Sequence, residues 1–128
     1  MAYNILIVDD SMVTRAVLKK TIKMAEIPIN EIYQAANGQL ALDVLANNSV
    51  DIILADLNMP VMNGMEMTAK ILANPKTKDI PIVVISTEAS TSRIDELRAE
   101  GIKGYIHKPF TPEKVRDELN AVLGITVA

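Results

Sequence analysis

Ile52-Ile53-Leu54-Ala55-Asp56-Leu57-Asn58-Met59-Pro60, with Gly64 closing the loop behind it, is the stretch on which the rest of the chain turns. Ile52 to Ala55 is an unbroken apolar run, too short for a buried helix and bounded by polar and turn-forming residues. It reads as a strand covered on both faces. Asp56 comes where that strand should end. In open parallel α/β sheets, ligands bind beyond the carboxyl ends of the strands, so a carboxylate delivered there by a buried strand is placed for chemistry. Taken singly, Asp56 reads equally well as a loop residue, since Asp, Asn, Pro and Gly are ordinary turn formers. What the other strands carry decides between the two.

Outward from this stretch, short apolar runs alternate with helical periodicity, the pattern of βαβ units. A first strand is expected over 5–8, followed by Asp9, Asp10 and Ser11. In the helix that follows, Thr14, Val17, Leu18, Thr21, Ile22 and Ala25 share one face, while Arg15, Lys19, Lys20 and Lys23 face away and read as solvated. Pro28 and Asn30 break that helix. A weaker, partly polar strand over 31–36 belongs at the sheet edge. Asn37-Gly38 turns into a second helix with a core stripe of Leu40, Ala41, Val44 and Leu45. After Gly64 a third helix carries Met65, Thr68, Ala69, Ile71 and Leu72, until Asn74-Pro75 stops it. A fourth strand over 82–85 ends at Ser86 and Thr87. A fourth helix starts among Ser90, Thr91 and Ser92 and ends at Gly101. The fifth strand spans 104–107, with Tyr105 half-buried and the single His107 at the surface. Lys108-Pro109 follows it, and Pro112 opens a last helix bearing Val115, Leu119, Val122 and Leu123. Right-handed crossovers then place five helices on both faces of a five-stranded, doubly wound parallel sheet.

Composition narrows the chemistry. A chain of 128 residues is expected to form one domain, spanning 1–128. No apolar run approaches the ~20 residues needed to cross a bilayer, and the start shows no signal or lipidation pattern. A cytoplasmic protein without membrane insertion is expected. The absence of cysteine excludes disulfides, thiolate metal sites and cysteine nucleophiles, so any metal must be held by oxygen. A net charge of -3 and the lack of tryptophan disfavour direct nucleic-acid binding.

Four strand ends therefore bring polar groups to one rim: Asp9 and Asp10, Asp56, Ser86, and Lys108. The second strand contributes none. Like charges about 5 Å apart repel by roughly 3 kcal/mol per pair at an effective dielectric near 20, so clustered carboxylates call for a cation. Magnesium, which takes one or two carboxylates and leaves positions for phosphate oxygens, suits this set. Asp56 is then the candidate nucleophile, since carboxylates form aspartyl-phosphate intermediates. Asp10 would bind the ion directly, and Asp9 directly or through water. Lys108 and the Ser86 hydroxyl suit the phosphoryl oxygens, supplying the charge stabilisation that phosphoryl transfer needs. Each residue has a plainer reading alone: first-turn acids at a helix dipole, a surface lysine, a helix cap. Their convergence is what those readings leave unexplained.

Ile7-Val8-Asp9-Asp10-Ser11, Asp56 with Met59-Pro60 and Asn63-Gly64, Ser86 ending a strand, and Lys108-Pro109-Phe110 occur here in one order. In that set the chain resembles the receiver domain of two-component response regulators, most of all stand-alone chemotaxis regulators of the CheY type. The resemblance runs from Ile5 to Leu123. It implies the flavodoxin-like strand order 2-1-3-4-5. It also implies that Asp56 accepts a phosphoryl group from the phosphohistidine of a sensor histidine kinase. Mg2+ would be held by Asp10, Asp56 and the backbone carbonyl of Asn58, with Asp9 acting through water on the ion. Ser86 would move toward the phosphate and Tyr105 would turn inward, remodelling the face built from the fourth helix, fifth strand and fifth helix. The Lys108-Pro109 peptide would be cis. The implied partners are the kinase, a downstream target protein such as a flagellar motor switch, and a phosphatase, with the chain itself a monomer. The implied role is a phosphoprotein that loses its phosphoryl group spontaneously, not an enzyme acting on other substrates.

Thr87 departs from the small residue usual in the family after Ser86. Its bulk is expected to alter the rate of phosphoryl loss, while Asn58 and Glu88 match the chemotaxis pattern and imply appreciable intrinsic dephosphorylation. A phosphohydrolase of the haloacid dehalogenase type is the rival enzyme reading. It normally carries a second Asp two residues after the nucleophile, where this chain has Asn58. A flavodoxin-like cofactor carrier would need a glycine- or hydroxyl-rich phosphate loop, which is not visible. A receiver used only as an unphosphorylated scaffold would not need the full acidic, hydroxyl and lysine set.

Overall fold

The computed structural model describes residues 2–56, 64–86 and 91–124. Ten elements alternate along the chain: β1 (Tyr3–Val8), α1 (Met12–Met24), β2 (Ile29–Ala35), α2 (Gly38–Asn47), β3 (Ile52–Ala55), α3 (Gly64–Ala73), β4 (Ile82–Ser86), α4 (Thr91–Glu100), β5 (Gly104–His107) and α5 (Pro112–Leu123). All strand pairs are parallel, in the order β2-β1-β3-β4-β5. The polar strand β2 lies at an edge, as its composition requires, because an edge strand tolerates side chains in water.

Alternation along each strand explains why these runs are apolar throughout. Leu6 and Val8 of β1, Ile53 and Ala55 of β3, and Ile82 and Val84 of β4 face one layer, where Ala41 of α2, Met67 and Ile71 of α3 and Leu97 of α4 pack on them. Ile5 and Ile7, Ile52 and Leu54, and Val83 and Ile85 face the other, against Leu18 and Ile22 of α1 and Val115 and Leu119 of α5. Both faces are dry, so neither parity of a central strand can be polar. Gly101 ends α4 at φ +118°, where an L side chain is strained, and it packs against Leu72.

Three expectations about helix faces change. Val17, placed with the core by its spacing, is 51% exposed, and with Met12 and Val13 it makes an apolar strip in water at the start of α1. Leu40 is likewise exposed, whereas Val44 and Leu45 pack on the core as expected. In α3, Met67 is fully buried and Ala69 faces solvent. In α1 and α2 the cause is the same: the apolar face is wider than the stripe that the sheet can cover.

Candidate functional site

Strand register builds the site. Val8 of β1 pairs with Ala55 of β3, and both face the same core layer. The next residues, Asp9 and Asp56, therefore leave the sheet side by side at its carboxyl edge. The Asp9 amide donates to Ala35 O at 3.0 Å and the Asp56 amide to Val8 O at 2.9 Å, so each is tied by its main chain to the neighbouring strand. Asp10 follows directly. One carboxylate oxygen from each of Asp9, Asp10 and Asp56 lies within 4.8 Å of the other two.

The three acids sit in unlike surroundings. Asp9 is 5% exposed, Asp56 is half-buried and Asp10 is open to solvent. Asp9 is held from two sides: its Oδ1 accepts the Ser11 amide at 2.8 Å, and its Oδ2 accepts Lys108 Nζ at 3.4 Å. Ser11 also caps α1, its side-chain oxygen taking the Thr14 amide at 3.2 Å. Three negative carboxylates with one ammonium leave an excess of charge on hard oxygen donors, one of them facing water. That donor set fits a small divalent cation such as magnesium.

Ser86 ends β4 at 2% exposure, in register with His107. Its carbonyl accepts the Lys108 amide at 2.9 Å and the Tyr105 hydroxyl at 3.3 Å. Lys108 and Tyr105 are thus fastened to one peptide group. The Lys108-Pro109 bond is cis. Tyr105 is half-buried, its amide donating to Glu118 Oε1 of α5 at 3.1 Å. His107 is exposed, as expected of the single histidine.

All the predicted site residues that the structure describes come to this rim: Asp9, Asp10, Asp56, Ser86 and Lys108, with Tyr105 beneath. Asn58, Thr87 and Glu88, along with Met59, Pro60 and Asn63 of the motif, lie outside the described residues. Two residues were misread. Arg15 is half-buried rather than solvated like Lys20 and Lys23, and its Nη1 donates to Asp9 O at 2.6 Å. Its Nε donates to Gln34 Oε1 at 3.2 Å, so β2 does send a polar group to the rim. The available signal was position: Arg15 begins the second turn after the Ser11 cap, within reach of the strand end that feeds the helix.

Comparison with known proteins agrees with this geometry. The family model for the response regulator receiver domain matches residues 5–120. A chemotaxis protein CheY homolog of Campylobacter jejuni is 36% identical over 122 residues, covering 94% of this chain and 92% of that protein. The structure of the chemotaxis response regulator CheY4 of Vibrio cholerae superposes with a TM-score of 0.86 at 34% identity, covering 96% of this chain and all of that one. The CheX-CheY-BeF3-Mg2+ complex of Borrelia burgdorferi matches with a TM-score of 0.85 at 29% identity, covering 94% of this chain and 88% of that chain. A five-stranded 2-1-3-4-5 sheet, an acid cluster at its carboxyl edge and these likenesses together place the chain in the response regulator receiver domain family of two-component signalling, where it is of the CheY type.

Proposed function

We propose that the protein is a single receiver domain that accepts a phosphoryl group on Asp56 from a sensor histidine kinase, with Mg2+, and passes the signal to a downstream protein through the α4, β5 and α5 face. The observation that carries this reading is the meeting of Asp9, Asp10 and Asp56 within 4.8 Å, with Lys108 3.4 Å from Asp9. In the transfer a carboxylate oxygen of Asp56 attacks phosphorus, the bond from phosphorus to the donor imidazole breaks, and the imidazole leaves with its electron pair. Asp10, Asp56 and the carbonyl of Asn58 would hold Mg2+, with Asp9 beside them. Bound there, the ion supplies positive charge against the phosphoryl oxygens. Lys108 Nζ would leave Asp9 for one phosphoryl oxygen, and the Ser86 hydroxyl would donate to another. That shift offers a route to the output face, because Lys108 and Tyr105 both bond the Ser86 carbonyl. Asn58, Thr87 and Glu88 would tune the rate of spontaneous phosphoryl loss.

The CheY likeness supports a chemotaxis pathway in the cytoplasm, with a flagellar motor component as the target. The CheX complex of the Borrelia protein supports a phosphatase as a further partner. The deciding experiment is incubation with Mg2+ and acetyl phosphate, followed by intact mass. The chain should gain one phosphoryl group and Asp56→Asn none. Equal uptake by both would overturn the assignment of Asp56. Steady turnover of a phosphomonoester, in place of acetyl phosphate, would favour a phosphohydrolase.

A further inference from the structure

Arg15 of α1 is partly buried, and its donors reach back toward the end of β1 instead of into solvent. Its guanidinium links three parts of the chain: it stands on α1, donates to the Asp9 carbonyl just past β1 at 2.6 Å, and donates to the Gln34 side chain of β2 at 3.2 Å. The Asp9 carbonyl belongs to the peptide joining Asp9 to Asp10. One bond therefore acts on the link between two of the three clustered acids. The Asp9 amide is held separately by Ala35 O, next to Gln34. A planar fork with fixed donor directions can brace both acceptors at once, which a flexible ammonium cannot do.

We propose that Arg15, braced by Gln34, is a positioning residue for the cation site. It holds the Asp9-Asp10 peptide so that both carboxylates face Asp56, and it thereby sets the affinity for Mg2+. This rests on the receiver reading given above. The sign of the effect separates positioning from simple charge. A cation beside three carboxylates competes with an incoming ion, so a purely electrostatic Arg15 would weaken Mg2+ binding and its removal would tighten it. A brace does the opposite: its removal lets the two ligands swing apart. Partners that orient metal ligands without touching the ion change affinity by about tenfold or more when removed.

The test is Mg2+ titration by calorimetry on the whole chain, at fixed ionic strength, with thermal unfolding of each ion-free variant as a folding check. Arg15→Ala should bind Mg2+ about tenfold more weakly than wild type. Gln34→Ala leaves the charge unchanged and should weaken binding in the same direction by less. Arg15→Lys keeps the charge without the fork and should fall between Arg15→Ala and wild type. Unchanged or tighter binding in Arg15→Ala, or an Arg15→Lys protein indistinguishable from wild type, overturns the brace. If Arg15→Ala does not fold, the other two variants still decide, since wild-type affinity in both would also overturn it. Failure of the receiver reading looks different: the wild-type chain itself would bind no Mg2+, or Asp10→Asn would bind as well as wild type.

Discussion

Both halves of the rim are anchored by main-chain bonds, that of Lys108 to Ser86 O at 2.9 Å included, but the β4 and β5 side adds side-chain contacts at the long end of the range. On the β1 and β3 side, the peptide amides of Asp9 and Asp56 are part of the sheet ladder, at 3.0 and 2.9 Å, above strands whose last four residues are all buried. On the β4 and β5 side, one contact is a Tyr105 hydroxyl at 3.3 Å from the Ser86 carbonyl and another is an ammonium at 3.4 Å from Asp9. Ladder bonds break only if the sheet opens, whereas side-chain bonds at the long end of the range can exchange partners by rotamer changes. One half is built to keep its ligands still. The other is built so that a new anion can take the lysine, and the hydroxyl can follow.

Substitutions can break this division or sharpen it. The largest effect should come from Ile53→Ala, because Ile53 is fully buried in β3, the strand shared by both halves. It should cost about 2–5 kcal/mol in urea unfolding, and a loss well below 1 kcal/mol would show that β3 is not the common support. Asp10→Asn should change sign with conditions. Without ion it relieves repulsion in the cluster and raises the urea midpoint slightly. At saturating Mg2+, about one hundred times the dissociation constant, it forfeits most of the ~2.7 kcal/mol that binding gives the wild type. A variant with the same midpoint as wild type in both buffers would contradict a cation site.

Gly104→Ala probes the other half. An added Cβ would come 2.5 Å from Glu118 Oε1, the acceptor of the Tyr105 amide, and 3.1 and 3.2 Å from packed Val122 and Val83 methyls. We expect a loss of about 1–3 kcal/mol with Mg2+ affinity unchanged. Parallel loss of Mg2+ affinity would show that the halves are not separable. The smallest effect should be Glu26→Gly. Glu26 has φ +59° at the end of α1, far from the rim, and glycine should relieve that strain and raise stability by up to about 1 kcal/mol. No change in the unfolding midpoint would mean that the backbone there adapts.

Much of this division was legible beforehand, for a definite reason. β3 and β5 were expected over the residues they occupy, and β4 and α3 to within one residue, because a strand dry on both faces must be an unbroken apolar run and its polar end marks the sheet edge. The same logic brought Asp9, Asp10, Asp56, Ser86 and Lys108 to a single rim. It failed at Val17 and Leu40, where spacing predicted burial and the helices instead turn those apolar residues to water. It failed again at Arg15, which periodicity grouped with lysines although its donors reach inward.

Local order along the chain, then, follows from hydropathy and turn chemistry, which act between residues a few positions apart and can be read in one dimension. Which strand end meets which is another matter. The pairing of Lys108 with Asp9 spans 99 residues, and the bridge from Arg15 to Gln34 joins a helix to a strand of the next unit. Contacts of that kind exist only after strand register and helix docking set the distances, so they belong to the packed sheet and to no single segment of it.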